Sequence, residues 1–338
     1  LRSGRYKAED ICVALTQTGG QCRASNYLPL IKKALIDNGF GDVPVLSFAL
    51  GSGIDNTQPG FKVNWLRLIP IILSSLLYSD SLAKFYFASK VRERHPGQAK
   101  RLLDHYLEVG KSIIPLNKPD RLLAIIPDAA ADFDAICEEK TLPKVGIVGE
   151  IYLKFNPFAQ KDISAWLMDR GIEVMPPVML DFFTQSFVNK KAQQDEYVSK
   201  RSLPNWIIDR LHAMVQSRAE KVNRLAKPFR YWTPFESIYH KASMAKQVIT
   251  LNAQFGEGWL IPGELFSFAA QGVNHVVSVQ PFGCIANHIV QKGIEKRIRA
   301  LLPDLSVLSL DFDSSVSDVN IVNRLLLFID SLKQTAPV

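Results

Sequence analysis

The sequence predicts an α/β protein in which short parallel strands alternate with helices. The chain has 338 residues, of which 47% are hydrophobic, so it is long enough to bury the cores of two compact domains. Short β-branched runs are followed by glycine-containing turns and then by apolar residues at helical spacing. This alternation is typical of small, doubly wound parallel sheets with helices on both faces.

The first predicted α/β domain covers residues 1–62. The run ICVALTQ at 11–17 predicts a strand, the Gly-Gly pair after it a turn, and the pattern at 23–38 a helix. A second apolar run at 43–50 completes one βαβ unit, in which both strands are expected to be parallel and buried.

A predicted helical segment at 63–142 separates this domain from a second α/β domain at 143–338. The second domain has a helical insertion at about 180–256, where the pattern is helical with polar and basic faces. Its four predicted strands alternate with helices and lie at 144–153, 171–175, 273–279 and 306–310.

Charge and composition exclude several classes of function. The net charge of +7 comes from 40 basic and 33 acidic residues, and the densest basic stretches have helical spacing. Solvated helix faces are therefore favoured over a nucleic-acid surface. The N-terminal residues have no signal-peptide core, and polar residues and a proline interrupt the most apolar stretch, so we expect neither a secreted protein nor a membrane span. The missing initiator Met suggests a piece of a longer polypeptide.

The four cysteines lie far apart, without a CxxC pair, which favours a reducing compartment and a cytoplasmic protein. Cys22 and Cys284 share one setting, a buried strand, a glycine turn and the approach to a helix. A helix N-terminus favours thiolate over thiol, so both are candidate reactive thiolates or metal ligands. The alternative is that each is a small buried hydrophobe. Cys12 and Cys137 are interpreted as packing or surface residues.

Glycines beside these cysteines allow the backbone to approach a bulky ligand, so Gly19, Gly20 and Gly283 are candidate cofactor-binding positions. A zinc or cubane site needs three or four protein ligands, and the sequence offers two thiolates. The rest would come from an upstream residue, a second subunit or non-protein ligands.

Further polar candidates lie in the same predicted layer. Arg23 is suited to a cluster or an anionic substrate, or to a surface salt bridge. Glu150 and Asn156 flank the end of the strand that starts the second domain, where Glu150 is a candidate base or a satisfied buried carboxylate. Glu257, between two glycines, fits either close ligand approach or a tight turn. For His288, packing is favoured over metal ligation.

The segments TQTGGQCRASNY, VGIVGEIYLKFNPF, FGEGWLIPGE and VQPFGCIANHIVQKGIEKRI carry a resemblance to a known family. In this order they resemble the 2-hydroxyacyl-CoA dehydratase subunit superfamily. The likeness is strongest to the dehydratase-like region of large proteins known as CoA-substrate-specific enzyme activases, and it extends to double-cubane cluster proteins. It covers nearly the whole chain, and GGQCR and QPFGC are its most specific motifs.

The resemblance implies two Rossmann-like parallel-sheet units, the first truncated, with long helical segments between and inserted. It also implies an anaerobic cytoplasmic setting and a [4Fe–4S] iron–sulfur cluster held between domains by Cys22 and Cys284. A further family cysteine lies upstream and has no match here. The family's dehydratases accept one electron from an ATP-driven activator and form a radical of the substrate thioester, and the resemblance gives Glu150 and Arg23 roles near the cluster.

Three hypotheses follow. The first is an iron–sulfur redox module, either a dehydratase-like lyase or a cluster-dependent reductase, with an ATP-dependent activase as its partner and an acyl-CoA as its substrate. The second is a non-catalytic α/β scaffold or interaction domain without a cluster. The third, a nucleotide-sugar or phosphate-binding transferase, draws only on fold and charge. A homodimer is expected, and neither nucleic acid nor a membrane is an expected partner.

Overall fold

The computed structural model describes most of the chain and divides it into two compact units. The units are Leu1–Asn64 and Trp65–Val338, and the described residues are 1–17, 26–49, 64–198, 205–313 and 316–335. Each unit contains one small parallel sheet. The predicted α/β class is therefore confirmed.

The first unit has two parallel strands, β1 (Val13–Gln17) and β2 (Val45–Ala49), joined through helix α1 (Tyr27–Asp37). A short 3₁₀ helix, Ala8–Asp10, precedes β1. Both strands fall within the apolar runs that predict them. Four of the predicted site residues lie outside the described part of this unit, namely Gly19, Gly20, Cys22 and Arg23.

The second unit contains a helical bundle. It is formed by the helices that precede the sheet of this unit and by helices inserted between the strands of that sheet. The bundle's helices are α2 (Trp65–Lys90), α3 (Gln98–Ile113), α4 (Pro119–Leu123), α5 (Ile126–Ala135), α8 (Met179–Asp195), α9 (Asn205–Leu225) and α10 (Ile238–Ala245). A 3₁₀ turn, Ile114–Leu116, connects α3 to α4. Phe85, Phe133 and Phe229 are fully buried at the centre, with ring centroids 5.1–5.8 Å apart. Residues 65–135 and the predicted insertion thus share a core.

Helix α2 is the single helix, within the described ranges, that is long and apolar enough to cross a membrane. Its span Arg67–Lys90 contains an 18-residue window with mean hydropathy 1.3, and 56% of that window is buried inside the unit. A buried core helix meets the same criteria, so this finding is weak evidence for a membrane span.

The sheet of the second unit contains four parallel strands in the order β4-β3-β5-β6. They are β3 (Lys144–Gly149), β4 (Glu173–Met175), β5 (His275–Pro281) and β6 (Ser306–Phe312). Helices α6 (Ile151–Phe155), α7 (Ile163–Met168) and α13 (Asp318–Thr335) pack on one face, while α11 (Leu260–Ala270) and α12 (Lys292–Leu301) pack on the other.

The first strand of this sheet is shorter than the sequence predicts. The apolar run at 144–153 is not one strand, because β3 ends at Gly149 and Glu150 begins helix α6. Gly149 has a φ of 122°, and a Cβ there would lie 2.0 Å from the carbonyl oxygen of Val279. Only glycine allows β3 to turn this close to β5.

The helix that the sequence predicts after Cys284 does not begin as a regular α-helix. Its first part, Ile285–Gln291, is a π-helix, and the regular helix α12 continues from Lys292. Wider π-helical turns are rare and are often found at functional sites. This one follows Cys284 directly.

The strand order creates a switch point between β3 and β5. From β3 the chain moves to β4 on one side, and from β5 it moves to β6 on the other. Loops that leave neighbouring parallel strands in opposite directions open a crevice at the carboxyl ends, where α/β proteins bind ligands. Glu150 follows β3 at this place and Cys284 follows β5.

Candidate functional site

Cys284 lies half-buried at the switch point, between the end of β5 and the π-helix. Its Sγ donates a hydrogen bond to Asn287 Oδ1 at 3.2 Å. Burial raises the pKa of the thiol to about 11, and the nearby carboxyl groups of Glu257 and Glu150 add to this. The expectation that the helix start makes Cys284 a thiolate is wrong for the protein without a metal, because burial and negative neighbours outweigh the backbone N–H groups.

Asn287 is the residue that positions Cys284, and sequence reasoning did not single it out. Its side chain is fully buried. The amide nitrogen donates to Ser278 Oγ and to Gln291 Oε1, each at 3.1 Å, which leaves the amide oxygen aimed at the thiol. The only signal in the sequence was an asparagine three residues after the cysteine.

Glu257 is the most deeply buried acid of the site, with 2% of its surface exposed. Burial raises its pKa to about 8, against the attraction of Lys154 and with the help of Glu150. No described residue donates a hydrogen bond to its buried Oε1, which is unusual for a polar atom in a folded protein. The neighbouring Gly258 serves a tight turn, since a Cβ there would lie 2.2 Å from a backbone oxygen.

Glu150 begins helix α6 and uses part of its carboxylate as a cap. Its Oε2 accepts a hydrogen bond from the backbone N–H of Leu153 at 3.0 Å, and its own N–H donates to the carbonyl of Val279 at 2.9 Å. Burial raises its pKa, although two backbone N–H groups and Lys154 act in the opposite direction. The side chain therefore orders the loop and also adds negative charge beside Cys284.

A buried ion pair joins the site to the interior. Lys154 Nζ lies 3.2 Å from Glu264 Oε1, and both side chains are almost fully buried. Burial alone would lower the pKa of Lys154, but the charges of Glu264 and Glu257 together raise it. Neither member of the pair was foreseen, because no sequence pattern marks a lysine that will be buried.

Two further predicted positions have simple local roles. Asn156 ends helix α6, and its Oδ1 accepts a hydrogen bond from the N–H of Ala159 at 3.1 Å. Gly283 has a φ of 80° with open space where a Cβ would stand, so the turn needs its conformation rather than its small size. His288 Nε2 lies 3.0 Å from Asp311 Oδ1, and no described residue forms a hydrogen bond with its buried Nδ1.

The structure thus brings together Cys284, Glu150 and Glu257, while the other predicted cysteine and its loop lie outside the described residues. Within the described ranges, no group of three or more His, Cys, Asp or Glu side chains is arranged to hold a metal ion. The described part of the chain offers one sulfur donor at the switch point and two carboxylates nearby. These donors alone do not make up the ligand set of an iron–sulfur cluster.

Comparison of the chain with protein-family models, with curated proteins and with solved structures finds no match.

Proposed function

We propose that this chain is an iron–sulfur redox module related to the 2-hydroxyacyl-CoA dehydratases. In this proposal Cys22 and Cys284 are ligands of a [4Fe–4S] cluster, and an ATP-driven activase supplies low-potential electrons for a reductive or radical dehydration of an acyl-CoA. The observation that carries the proposal is the position of Cys284 beyond the carboxyl end of β5, at the switch point of a parallel sheet.

The charges around Cys284 support a positively charged occupant. Glu150 and Glu257 both raise the pKa of the thiol, and the buried lysine of the site, Lys154, is already bonded to Glu264. A metal ion reverses this situation, because a coordinated thiol is deprotonated outright. Glu257 carries a negative charge only above its pKa of about 8, and a bound cation would lower that pKa, so both carboxylates that oppose the free thiolate would favour iron at the site.

The unpartnered oxygen of Glu257 supports a chemical role for this residue. A buried carboxyl with one free oxygen can exchange a proton with a ligand without first breaking a protein hydrogen bond. Glu150 uses an oxygen as a helix cap, so Glu257 is the better candidate base of the two.

Exposed apolar side chains surround the switch point and support a large substrate or a protein partner. Tyr152 follows β3, Phe282 follows β5, and Ile289 lies on the π-helix, each with more than half of its surface exposed. Groups of exposed apolar residues commonly mark interaction surfaces. We also propose that both units are Rossmann-like and that the protein works in an anaerobic cytoplasm.

The second candidate is a non-catalytic α/β interaction domain. Two observations favour it: the described residues contain no set of three metal donors, and Cys284 packs against the hydrophobic core beside α11 and α12. In this alternative the thiol fills space, and its high pKa has no functional consequence.

Anaerobic reconstitution with iron and sulfide distinguishes the two. We expect wild type to develop the broad visible absorption of a [4Fe–4S] cluster and an EPR signal after reduction, and Cys22→Ser and Cys284→Ser to lose both. Cys137→Ser is the matched control, because Cys137 is buried and its Sγ donates to the carbonyl of Phe133. A cluster that never forms, or that survives in both serine variants, would contradict the proposal.

A further inference from the structure

Three of the described lysines in the second unit are buried, and one of them differs from the other two. Lys154 is bonded to Glu264, and Lys241 lies 2.5 Å from Asp181. Lys84 is 8% exposed, yet no described residue accepts a hydrogen bond from its Nζ or forms an ion pair with it. An unpaired buried ammonium group is costly, so this amine needs an explanation.

Lys84 faces a cavity at the carboxyl end of β4. The cavity has a volume of about 30 Å³ and is lined by Met175, at the end of the strand, and by the prolines that follow it. The amine lies above the rings of Trp232 and Phe235, at 5.6 and 5.1 Å from their centroids. The strand end is where a parallel sheet places its ligands, and the volume suits a ligand of a few heavy atoms.

The surroundings of Lys84 increase the fraction of neutral amine. Burial lowers its pKa to about 8, and the positive charge of Lys241 acts in the same direction, whereas Asp80, Asp181 and Glu236 oppose it. A desolvated lysine beside a second cation is the setting in which an amine becomes a nucleophile towards carbonyl groups.

The balance of charge in the cavity selects an uncharged ligand. Lys84 and Lys241 face three acidic side chains, those of Asp181, Glu236 and Glu264. Glu236 is itself held by Ser267 Oγ at 2.6 Å and Gln271 Nε2 at 3.0 Å. A further anion would meet a net negative lining, whereas a small aldehyde or ketone would not.

We propose that Lys84 is an imine-forming residue that captures a small uncharged aldehyde or ketone in this cavity. The Nζ lone pair attacks the carbonyl carbon, and loss of the carbonyl oxygen with two protons as water leaves a C=N bond. No oxidant or reductant is needed. The site is separate from Cys284, so this proposal does not depend on whether a cluster binds.

Reductive trapping tests the proposal on the wild-type chain. Acetaldehyde is the probe, and cyanoborohydride delivers a hydride to the imine carbon while water protonates the nitrogen, which leaves a stable ethylated lysine for peptide mass spectrometry. At pH 7 a lysine with a pKa near 8 is neutral in about a tenth of molecules, against less than about a thousandth for an ordinary lysine. We expect Lys84 to be ethylated on the order of 100-fold faster than the exposed Lys227.

Two further readouts make the test specific. The rate at Lys84 should rise with pH to a midpoint near 8, whereas that at Lys227 should still rise above pH 9. Glyoxylate, an anionic aldehyde, should react with Lys84 more slowly than acetaldehyde, relative to Lys227. Equal rates at Lys84 and Lys227 would overturn the proposal, and a preference of Lys84 for glyoxylate would overturn its choice of an uncharged ligand.

Discussion

The second unit buries charge in two different ways. Between the end of α2 and β4, one buried charge is fully paired: Arg92 Nη2 donates to Glu173 Oε2 at 2.7 Å, and its other nitrogens donate to two backbone carbonyls. At the switch point, Glu257 keeps an oxygen without a partner, and the Cys284 thiol lies among carboxyl groups that disfavour its ionised form.

This difference separates structural from functional groups. A paired buried charge fixes the packing of the elements that carry it. Removal of either partner lowers the stability of the protein. A buried polar group with an unsatisfied hydrogen-bonding atom stabilises the fold no more than an apolar residue would. Its presence therefore points to a ligand. Mutation should therefore lower the free energy of unfolding strongly at the paired charge and only slightly at the switch point.

The largest effect is expected where pairing is complete. Glu173→Ala leaves Arg92 buried with an uncompensated charge and should lower the free energy of unfolding by about 3–5 kcal/mol in urea titrations. Asp104→Ala, which removes an exposed partner of Lys100, should change it by less than about 1 kcal/mol. Similar losses of unfolding free energy in both variants would contradict the distinction between buried paired charges and exposed ones.

A second prediction concerns Asp80, whose carboxylate accepts the N–H groups of Met179 and Leu180 at 3.0 Å each. Burial nevertheless raises its pKa to about 7. The folded state then holds more protons than the unfolded state between about pH 4 and 7, so stability falls as pH rises through this window, by up to about 1.4 kcal/mol per pH unit.

Urea titrations of wild type and Asp80→Asn from pH 4 to 8 measure this dependence. The stability difference between the two proteins should change with pH across that window and become constant above about pH 8. A constant difference throughout would show that Asp80 is ionised in the folded protein, in the manner of an ordinary capping carboxylate.

The smallest effect is expected at the switch point. Glu257 is neutral below its pKa of about 8, so Glu257→Gln at pH 6 replaces one neutral buried group with another of the same shape. The free energy of unfolding should change by no more than about 1 kcal/mol. A loss as large as that of Glu173→Ala would mean that Glu257 is a structural charge.

Strand and helix alternation was readable from the sequence because buried parallel strands and amphipathic helices leave different periodicities. The end of β3 was not readable. KVGIVGEIYL is apolar on both sides of Gly149, and the break depends on the approach of the Val279 carbonyl. The π-helix after Cys284 was missed for a similar reason, since no local pattern distinguishes it from an α-helix.

The candidate site was only partly predictable. Cys284, Glu150 and Glu257 could be ranked from glycine turns at strand ends. Asn287, Lys154 and Lys84 could not, because ordinary polar residues become buried only through contacts made by distant parts of the chain. The helix-start argument favours a thiolate at Cys284, whereas burial first and then two nearby acids raise the pKa of its thiol, and the sequence shows neither.

The central claim is that Cys284 binds iron through its sulfur, and its alkylation with and without iron tests this most directly. At pH 10 an unbound thiol with a pKa near 11 is ionised in about a tenth of molecules and reacts with iodoacetamide. After anaerobic reconstitution with iron and sulfide, Cys284 should react at least about 10-fold more slowly, while the exposed Cys12 reacts as before. Equal alkylation of Cys284 in iron-free and iron-loaded protein would contradict the account.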